Sequence, residues 1–528
     1  MNFDKDLQSI QEARDLARQA KEAQAEFKHF TQEQVDKVVK AMADAGFRES
    51  ERLAKLAHEE TGFGKWQDKV IKNQFGSRNV WESIKNLRTV GVIDIQENGK
   101  IVKIAEPMGV VAALIPSTNP TSTAMFKAII SLKGRNAIVA SPHPKAKNCT
   151  YEALKVLTDA AEKAGAPSGL IHSMRNPTIE GTDALMRDKN VSVILATGST
   201  PMVKAAYSSG TPALGVGSGN VPAFIERTAN YKKAVADIIY GTTFDNGTLC
   251  SSEQSMIVDA PIVDKVIEEA KTQGAYFVCD EEKKKLEAAV TKGGRINPDI
   301  VGKSATWIAN YAGFKVPDST RVLIAKCSSV GKQDILSMEK LSPILSFYQV
   351  NGWMEGCHRS IELLEFGGIG HTMVIHSGDN EIIMKFALEK PAFRILVNTP
   401  SSVGAVGSST ALMPSLTLGP GTWGGSIISE NVTAKHLINI KTLAFETAPV
   451  NEGVSVNSFN GTSSGKSAES NFMSMIEDRL MARAGNPTYD QIRESNADKS
   501  SSAVEKQTLG ENISEDEINK IIREFKFK

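Results

Sequence analysis

The segment VSVILATGS, residues 191–199, joins a run of apolar, largely β-branched residues to a loop of small residues. The segment NAIVASP, residues 136–142, has the same form and precedes a helical pattern over residues 146–164. Between about residues 101 and 225, short apolar runs of this kind alternate with helical segments. This alternation predicts an α/β fold: an open, mostly parallel sheet with helices on both faces.

The same alternation resumes over residues 231–410, with the apolar runs SMIVDA, RVLIAKC, ILSFYQV, HTMVIHS and FRILVNT. Residues 3–60 are predicted to form amphipathic helices, with Thr31 and Gln34 spaced as a capping box. The run IVKIAEPMGVVAALIP, residues 101–116, predicts a pair of strands that enter a buried sheet.

The composition indicates several domains and no charge bias. A chain of 528 residues is too long for one compact core, so two or three domains are expected. Lys plus Arg and Asp plus Glu both total 61, which does not favour nucleic acid as a partner. No run of about 18 apolar residues predicts a membrane span, and the first residues are charged, unlike a signal segment. The five cysteines are too widely spaced for a zinc site or a disulfide framework, which predicts no bound metal and a cytoplasmic location.

Cys250 has the most unusual setting of the five cysteines, in the stretch TFDNGTLCSSEQSMIV. A lone cysteine is more often a small core residue than a reactive one. Here an Asn-Gly pair bends the chain before the cysteine, and Ser251, Ser252 and Glu253 follow it. These polar residues are not expected to line a dry interior. The stretch therefore predicts a partly solvated cleft in which a Cys250 thiolate acts as a nucleophile.

Three loops of small residues could approach a ligand closely: IPSTNPTST (115–123), LATGSTPM (195–202) and ALGVGSGNVP (213–222). Each borders a predicted strand, so each could lie at the carboxyl edge of the sheet, where such folds bind nucleotides. None has the G-x-G-x-x-G spacing of the usual dinucleotide fingerprint, and each could equally be a plain structural turn.

The order of motifs along the chain resembles that of CoA-acylating aldehyde dehydrogenases, above all the aldehyde dehydrogenase half of bifunctional aldehyde–alcohol dehydrogenases. The motifs are IPSTNPTST, SPHPKAK, ATGS, MVKAAYSSGTPALGVGSGN, FDNGTLCSSEQS, EKLSP, GGIGHT, SLTLG, WGG, SEN and KHLIN. The resemblance extends to about residue 448, and no stretch resembles the iron-dependent alcohol dehydrogenase half.

The resemblance implies a Rossmann-type NAD-binding domain, an α/β catalytic domain and a small β oligomerisation arm. The implied divisions are residues 1–230 for the NAD-binding domain with arm strands near 91–104, 231–415 for the catalytic domain, and 416–449 for a return segment with the last arm strand. The arm implies a homodimer or homotetramer.

The resemblance also implies the site residues. Cys250 matches the family nucleophile, and Asn119 matches the amide that stabilises the oxyanion. The positions that match NAD contacts are Ile115, Pro116, Ser117, Thr118, Asn119, Pro120, Ser199, Gly217, Glu339 and Leu418. Ser199 replaces a glycine of the nearest relatives, which makes its contact with the cofactor less certain than the others.

A missing carboxylate predicts the reaction type. Non-acylating relatives activate water with a Glu in an E-L-G-G motif, whereas the matching stretch here is PALGVGSGN, with Ala213 in place of the Glu. Without that base, water is a poor acceptor and the thiol of CoA is intrinsically nucleophilic. The expected reaction is the reversible oxidation of a short-chain aldehyde to its acyl-CoA, with NAD as cofactor and CoA as co-substrate.

Several alternatives remain open at this stage. A non-acylating dehydrogenase that releases a carboxylic acid and an inactive cargo scaffold are the competing functions. His371 could relay a proton to or from CoA or be a structural residue, and His143 could line the adenosine pocket or be a turn residue. Acetaldehyde, propionaldehyde and sulfoacetaldehyde all fit a small pocket, and NADP could replace NAD.

The last 79 residues lie outside the resemblance. Residues 450–513 are predicted to be flexible linkers with a helix near 469–483. In the segment 514–528, Ile518, Ile521, Ile522 and Phe525 fall on one face of a predicted helix. The segment resembles the peptides that draw enzymes into bacterial microcompartments, which implies a shell protein as partner; it could also fold back on its own subunit.

Overall fold

The computed structural model describes residues 4–448. Its α-helices are α1 (Lys5–Phe27), α2 (Gln32–Arg48), α3 (Ser50–Thr61), α4 (Trp66–Gln74), α5 (Val80–Ile84), α6 (Pro120–Lys133), α7 (Lys147–Lys163), α8 (Ile179–Met186), α9 (Thr200–Tyr207), α10 (Tyr231–Thr243), α11 (Val263–Thr272), α12 (Asp280–Val290), α13 (Ala305–Ala312), α14 (Gly352–Gly367), α15 (Asn380–Leu388) and α16 (Ser401–Gly404). The predicted capping box at the start of α2, between Thr31 and Gln34, is present.

The strands alternate with these helices over most of the chain. They are β1 (Gly91–Gln96), β2 (Ile101–Pro107), β3 (Val110–Ile115), β4 (Ala137–Pro142), β5 (Ile171–Ser173), β6 (Val191–Thr197), β7 (Ala213–Val216), β8 (Val221–Ile225), β9 (Glu253–Asp259), β10 (Ala275–Phe277), β11 (Thr291–Lys292), β12 (Arg295–Ile296), β13 (Val322–Lys326), β14 (Ile344–Val350), β15 (Met373–His376), β16 (Ile395–Val397) and β17 (Ile438–Ala444).

A five-stranded parallel sheet has the order β5-β4-β3-β6-β7. Every residue of β3 and β4 is buried, because helices cover both faces of the sheet and leave no side for polar side chains. Helix α6, which follows β3, is buried along its whole length. The carboxyl ends of β3, β6 and β7 meet at one edge, which brings the three predicted ligand loops together.

A seven-stranded parallel sheet has the order β10-β13-β14-β9-β8-β15-β16. It includes β8, which lies before residue 230, so the second sheet begins earlier in the chain than the division implied by the sequence. The apolar run after Asn220 is short and gave no sign of which sheet it joins. Strand β9 follows Cys250 and lies centrally in this sheet.

A three-stranded antiparallel sheet has the order β1-β2-β17. Residues 101–116 form two strands, as predicted, but the prediction that the pair enters a buried sheet is wrong for β2, which belongs to this sheet, whereas β3 belongs to the five-stranded one. The break falls at Gly109, whose φ of 130° favours glycine and where a Cβ would lie 2.3 Å from Ser192 Oγ.

Within residues 4–448, no helix has the length and apolar character that crossing a membrane requires. The same residues hold no group of three or more His, Cys, Asp or Glu side chains placed to bind a metal ion. The linkers predicted at 450–513 and the helix predicted at 514–528 lie outside the described residues.

Candidate active site

Cys250 lies in the turn between α10 and β9. Three residues of this turn, Asp245, Asn246 and Gly247, adopt left-handed backbone angles with φ of 48°, 53° and 73°. Asn and Asp tolerate this region better than other side chains, and glycine has no Cβ to clash. The reversal leaves the Cys250 side chain partly exposed, next to the start of a central strand.

The prediction that the residues after Cys250 stay out of a dry interior is wrong. Ser251, Ser252 and Glu253 each have 0% exposure. Burial of polar groups is tolerated where hydrogen bonds replace water: Ser251 Oγ donates to the Ser402 carbonyl (3.2 Å), and the Ser401 N–H donates to the Glu253 carboxyl. Burial raises the pKa of Glu253 to about 8, so this carboxyl is mostly neutral at pH 7.

The environment of the Cys250 sulfur favours its protonated form. Burial and, to a lesser extent, the carboxylate of Glu339 raise the pKa of the thiol to about 12, against the opposing effect of the Arg394 guanidinium. The backbone N–H groups of Cys250 and Ser251 also favour the thiolate. The thiol must therefore lose its proton during the reaction rather than rest as a thiolate at neutral pH.

Asn119 precedes the first residue of α6, at the carboxyl end of β3. Its Nδ2 donates to Thr118 Oγ1 (3.1 Å) and lies 3.5 Å from the carbonyl oxygen of Thr248, two residues before Cys250. Its Oδ1 accepts a hydrogen bond from Lys72 Nζ. The amide N–H₂ group is thus directed to the turn that carries the cysteine.

A buried ionic cluster beside Asn119 was not foreseen in the sequence. Asp245 pairs with both Lys69 and Lys72, and all three side chains have 4% exposure or less. Although burial opposes its ionisation, the two lysines hold the pKa of Asp245 below its usual value. Burial lowers the pKa of Lys72 to about 8, against the opposing effect of Asp245. The two lysines are three residues apart on α4, which places them on one helix face.

The loop residues that match NAD contacts lie together at the edge of the five-stranded sheet. Ile115 ends β3 and is buried, Pro116 to Asn119 are half-buried, and Pro120 begins α6 and is buried. Ser199 is exposed at the start of α9, and Gly217 follows β7. A Cβ on Gly217 would lie 3.6 Å from Thr200 Oγ1, so the loops after β6 and β7 are adjacent.

Glu339 and Leu418 come from distant parts of the chain. The Glu339 Oε1 accepts a hydrogen bond from the backbone N–H of Gly219 (2.9 Å), which places the carboxyl beside the loop after β7. Burial raises its pKa to about 7, against the hydrogen bonds of Gly219 and Ser218. The Leu418 side chain is 2% exposed and packs in a core cluster with Val216, so it is not presented to a ligand groove.

Gly219 lies between Cys250 and His371. A Cβ there would be 2.2 Å from the Cys250 carbonyl oxygen and 3.2 Å from His371 Nδ1, so only glycine fits. Burial, assisted by Arg394, lowers the pKa of His371 to about 3, which leaves the ring neutral; its buried Nε2 has no hydrogen-bond partner in the structure. His143 is exposed, and its Nδ1 accepts from the Lys145 N–H within a turn.

Arg394 is a further residue that the sequence reasoning missed. Its guanidinium is 3% exposed and donates to the carbonyls of His371 (2.9 Å) and Gly419 (2.6 Å) and to Asn431 Oδ1 (2.7 Å). These acceptors are neutral, so the cation keeps its electrostatic effect on the nearby Cys250.

The sequence and the fold match a known protein family. The aldehyde dehydrogenase family model matches residues 6–308, which is more than half of the chain. The chain belongs to the aldehyde dehydrogenase family.

Individual relatives are more informative about the type of enzyme. The chain is 44% identical over 441 residues to the bifunctional aldehyde-alcohol dehydrogenase AdhE of Escherichia coli K12, a match that covers 83% of this chain and 50% of that protein. The chain therefore spans about half the length of the curated relative. A crystal structure of an acetylating aldehyde dehydrogenase from Geobacillus thermoglucosidasius is 49% identical, with a TM-score of 0.84, over 85% of this chain and 100% of that one.

A more distant solved structure is the propionaldehyde dehydrogenase from the Clostridium phytofermentans fucose utilisation bacterial microcompartment. It is 28% identical with a TM-score of 0.74, over 81% of this chain and 96% of that one. Together these matches confirm the predicted resemblance to acylating aldehyde dehydrogenases and the predicted α/β aldehyde dehydrogenase fold.

Proposed function

We propose that this chain oxidises a short-chain aldehyde to its acyl-CoA in an NAD-dependent, reversible reaction on Cys250. The observation that carries the proposal is the pairing of a partly exposed cysteine with an amide directed to its turn. In the sequence, Ala213 matches the position of the water-activating Glu of non-acylating relatives. The similarity to an acetylating enzyme along the full length of that enzyme supports the same reaction.

In this proposal the Cys250 thiol releases its proton to solvent, and its sulfur bonds to the carbonyl carbon of the aldehyde as the C=O π bond breaks. The carbonyl oxygen gains the negative charge, which the Nδ2 group of Asn119 and the backbone N–H of Cys250 stabilise by hydrogen bonds. Loss of a hydride from the same carbon restores the carbonyl and leaves a thioester on Cys250. Attack by the CoA thiolate then transfers the acyl group and frees the cysteine sulfur.

The residues at the edge of the five-stranded sheet fit a dinucleotide. The hydroxyls of Ser117 and Thr118 and the exposed start of α9 at Ser199 supply hydrogen-bond donors, and Gly217 lets the backbone approach closely. Glu339 would hold a ribose hydroxyl. NAD, when bound, supplies the hydride acceptor. Leu418 could contribute only through its backbone, because its side chain is packed in the core.

The choice of CoA over water depends on whether a carboxylate can activate water beside the cysteine. At the position where non-acylating relatives carry a Glu, this chain has Ala213, which is buried at the start of β7 and cannot act as a base. Glu339 is close enough to Cys250 to affect its titration, and a carboxyl with a pKa near 7 could in principle activate water. Its Oε1 is already engaged by the Gly219 N–H, so we assign Glu339 to cofactor binding.

Omission of CoA tests the proposal. With aldehyde and NAD alone, NADH is expected to form in a burst of at most one equivalent per subunit and then to stop, because the thioester has no acceptor. Addition of CoA should restore turnover and yield acyl-CoA, read by NADH absorbance and product chromatography. Sustained NADH formation at an undiminished rate without CoA, with carboxylic acid as product, would refute the proposal and support a non-acylating dehydrogenase.

Self-assembly is a second element of the proposal. The edge strand β17 exposes Ile440 and Leu443, and Phe445 just beyond it is also exposed. An edge strand with exposed apolar side chains favours pairing with another chain. A homodimer or homotetramer built through the β1-β2-β17 sheet would cover these groups.

We further propose that the enzyme works in the cytoplasm inside a protein-shelled microcompartment, with residues 514–528 binding a shell protein. The microcompartment origin of one relative and the one-sided apolar pattern of this segment support the idea. Deletion of residues 505–528 is expected to leave kcat and KM unchanged and to abolish co-purification with shells. Retained co-purification of the shortened enzyme would refute it.

A further inference from the structure

The amide of Asn119 is anchored on its oxygen side by a charged group. Oδ1 accepts from Lys72 Nζ, whereas Nδ2 lies on the opposite side, 3.1 Å from Thr118 Oγ1 and 3.5 Å from the Thr248 carbonyl oxygen. An asparagine amide can turn over and exchange its donor and acceptor ends. A lysine ammonium offers donors only, so it fixes the amide oxygen toward Lys72 and the N–H₂ group toward the turn of Cys250.

Lys72 is itself held by the residues of that turn. Its Nζ is paired with the fully buried carboxylate of Asp245 and lies 3.3 Å from Thr248 Oγ1, which in turn donates to Asp245 Oδ2 (2.8 Å). Asp245 has a left-handed backbone conformation, and its N–H donates a hydrogen bond to Asp68 Oδ2 (2.8 Å). A buried ammonium is costly unless it is paired, and here the pair links α4 directly to the cysteine turn.

We propose that Lys72, held by Asp245, is a positioning residue for the oxyanion site. It orients the Asn119 amide, and its positive charge at Oδ1 withdraws electron density from the amide and strengthens the Nδ2 donor. The inference rests on the proposed function, since it requires Asn119 to donate to the oxygen of the reacting aldehyde. Lys72 contacts no reacting atom and acts only through Asn119.

The variant Lys72→Met removes the donor and keeps the length of the side chain. Loss of orientation, with the amide still present, is expected to cost less than the 10²–10³-fold loss typical of removing an oxyanion donor, so kcat should fall by about 10- to 100-fold. The KM values for aldehyde, NAD and CoA should stay within about threefold. Lys133→Met is the matched control, because Lys133 is also a buried lysine paired with an aspartate, Asp36, in another part of the fold.

A double-mutant cycle separates positioning from general damage. In an Asn119→Ala background, Lys72→Met is expected to change kcat by less than about twofold, because the group through which it acts is gone. An equal loss in both backgrounds would overturn the inference and leave the proposed function intact. Full activity of Asn119→Ala alone would overturn the oxyanion role and the inference together. Should Lys72→Met fail to fold, Asp245→Asn, which keeps the shape of the turn, must give the same pattern.

Discussion

Replacement of Cys250 by alanine is expected to lower kcat by at least about 10⁴-fold, the largest effect of any single substitution in this chain. Every step of the proposed reaction before acyl transfer passes through the sulfur of this residue, and the described residues around it offer no second thiol at the same turn. The rate is measured as NADH formation with aldehyde, NAD and CoA all saturating.

The other cysteines supply the control for this experiment. Cys279 is exposed and directly precedes α12, and its backbone N–H donates to the Glu282 carboxyl (3.0 Å). Cys279→Ser places a hydroxyl, a favourable N-cap group, at this position and should retain full activity. If Cys250→Ala kept more than about a tenth of the native rate, the covalent mechanism would be wrong and the aldehyde would have to react without a bond to the enzyme.

Replacement of Asn119 by alanine is expected to lower kcat by about 10²- to 10³-fold, with KM for the aldehyde within a few fold. The amide is needed most when the carbonyl oxygen carries a full negative charge, so its loss affects the transition state more than substrate binding. Steady-state kinetics with varied aldehyde give both constants. Asn310→Ala, at an exposed position of α13, is the control for a lost asparagine amide.

An unchanged kcat in Asn119→Ala would mean that the oxyanion is stabilised by other donors. The backbone N–H groups of Cys250 and Ser251 would then be the remaining candidates, since both already favour negative charge on the neighbouring sulfur. We expect Asn119 to be the stronger donor, because Lys72 Nζ donates to its Oδ1 and leaves the N–H₂ group directed to the cysteine turn.

The apolar runs made the sheets predictable, because strands buried on both faces of a parallel sheet contain few polar residues. NAIVASP and VSVILATGS became β4 and β6, and the helix predicted at 146–164 is α7. The apolar pattern alone placed β2 with β3, whereas the family resemblance implied that strands near 91–104 and the last strand form one arm. Strand β2 does pair with β17, and Glu106 near the end of β2 is 335 residues from its ion-pair partner Lys441.

The site was predictable where a motif carried it and not where contacts between distant residues built it. Cys250 and Asn119 stand out in their own loops, whereas the Lys72–Asp245 pair joins residues 173 positions apart, each of which reads as an ordinary charged residue. At Glu253 the local sequence was misleading. A polar residue so close to the cysteine indicated exposure to solvent, yet the Glu253 side chain is fully buried. Its carboxyl is mostly neutral at pH 7 and accepts a hydrogen bond from the Ser401 N–H.

The central claim is that Cys250 carries the oxidised substrate as a thioester and passes it to CoA. Enzyme mixed with aldehyde and NAD without CoA, quenched in acid and digested, should yield the peptide containing Cys250 with the added mass of one acyl group. A brief chase with CoA should remove that mass and release an equal amount of acyl-CoA, whereas a chase with buffer should leave most of it in place. Absence of the adduct while NADH accumulates, or its loss to buffer as fast as to CoA, would contradict the account.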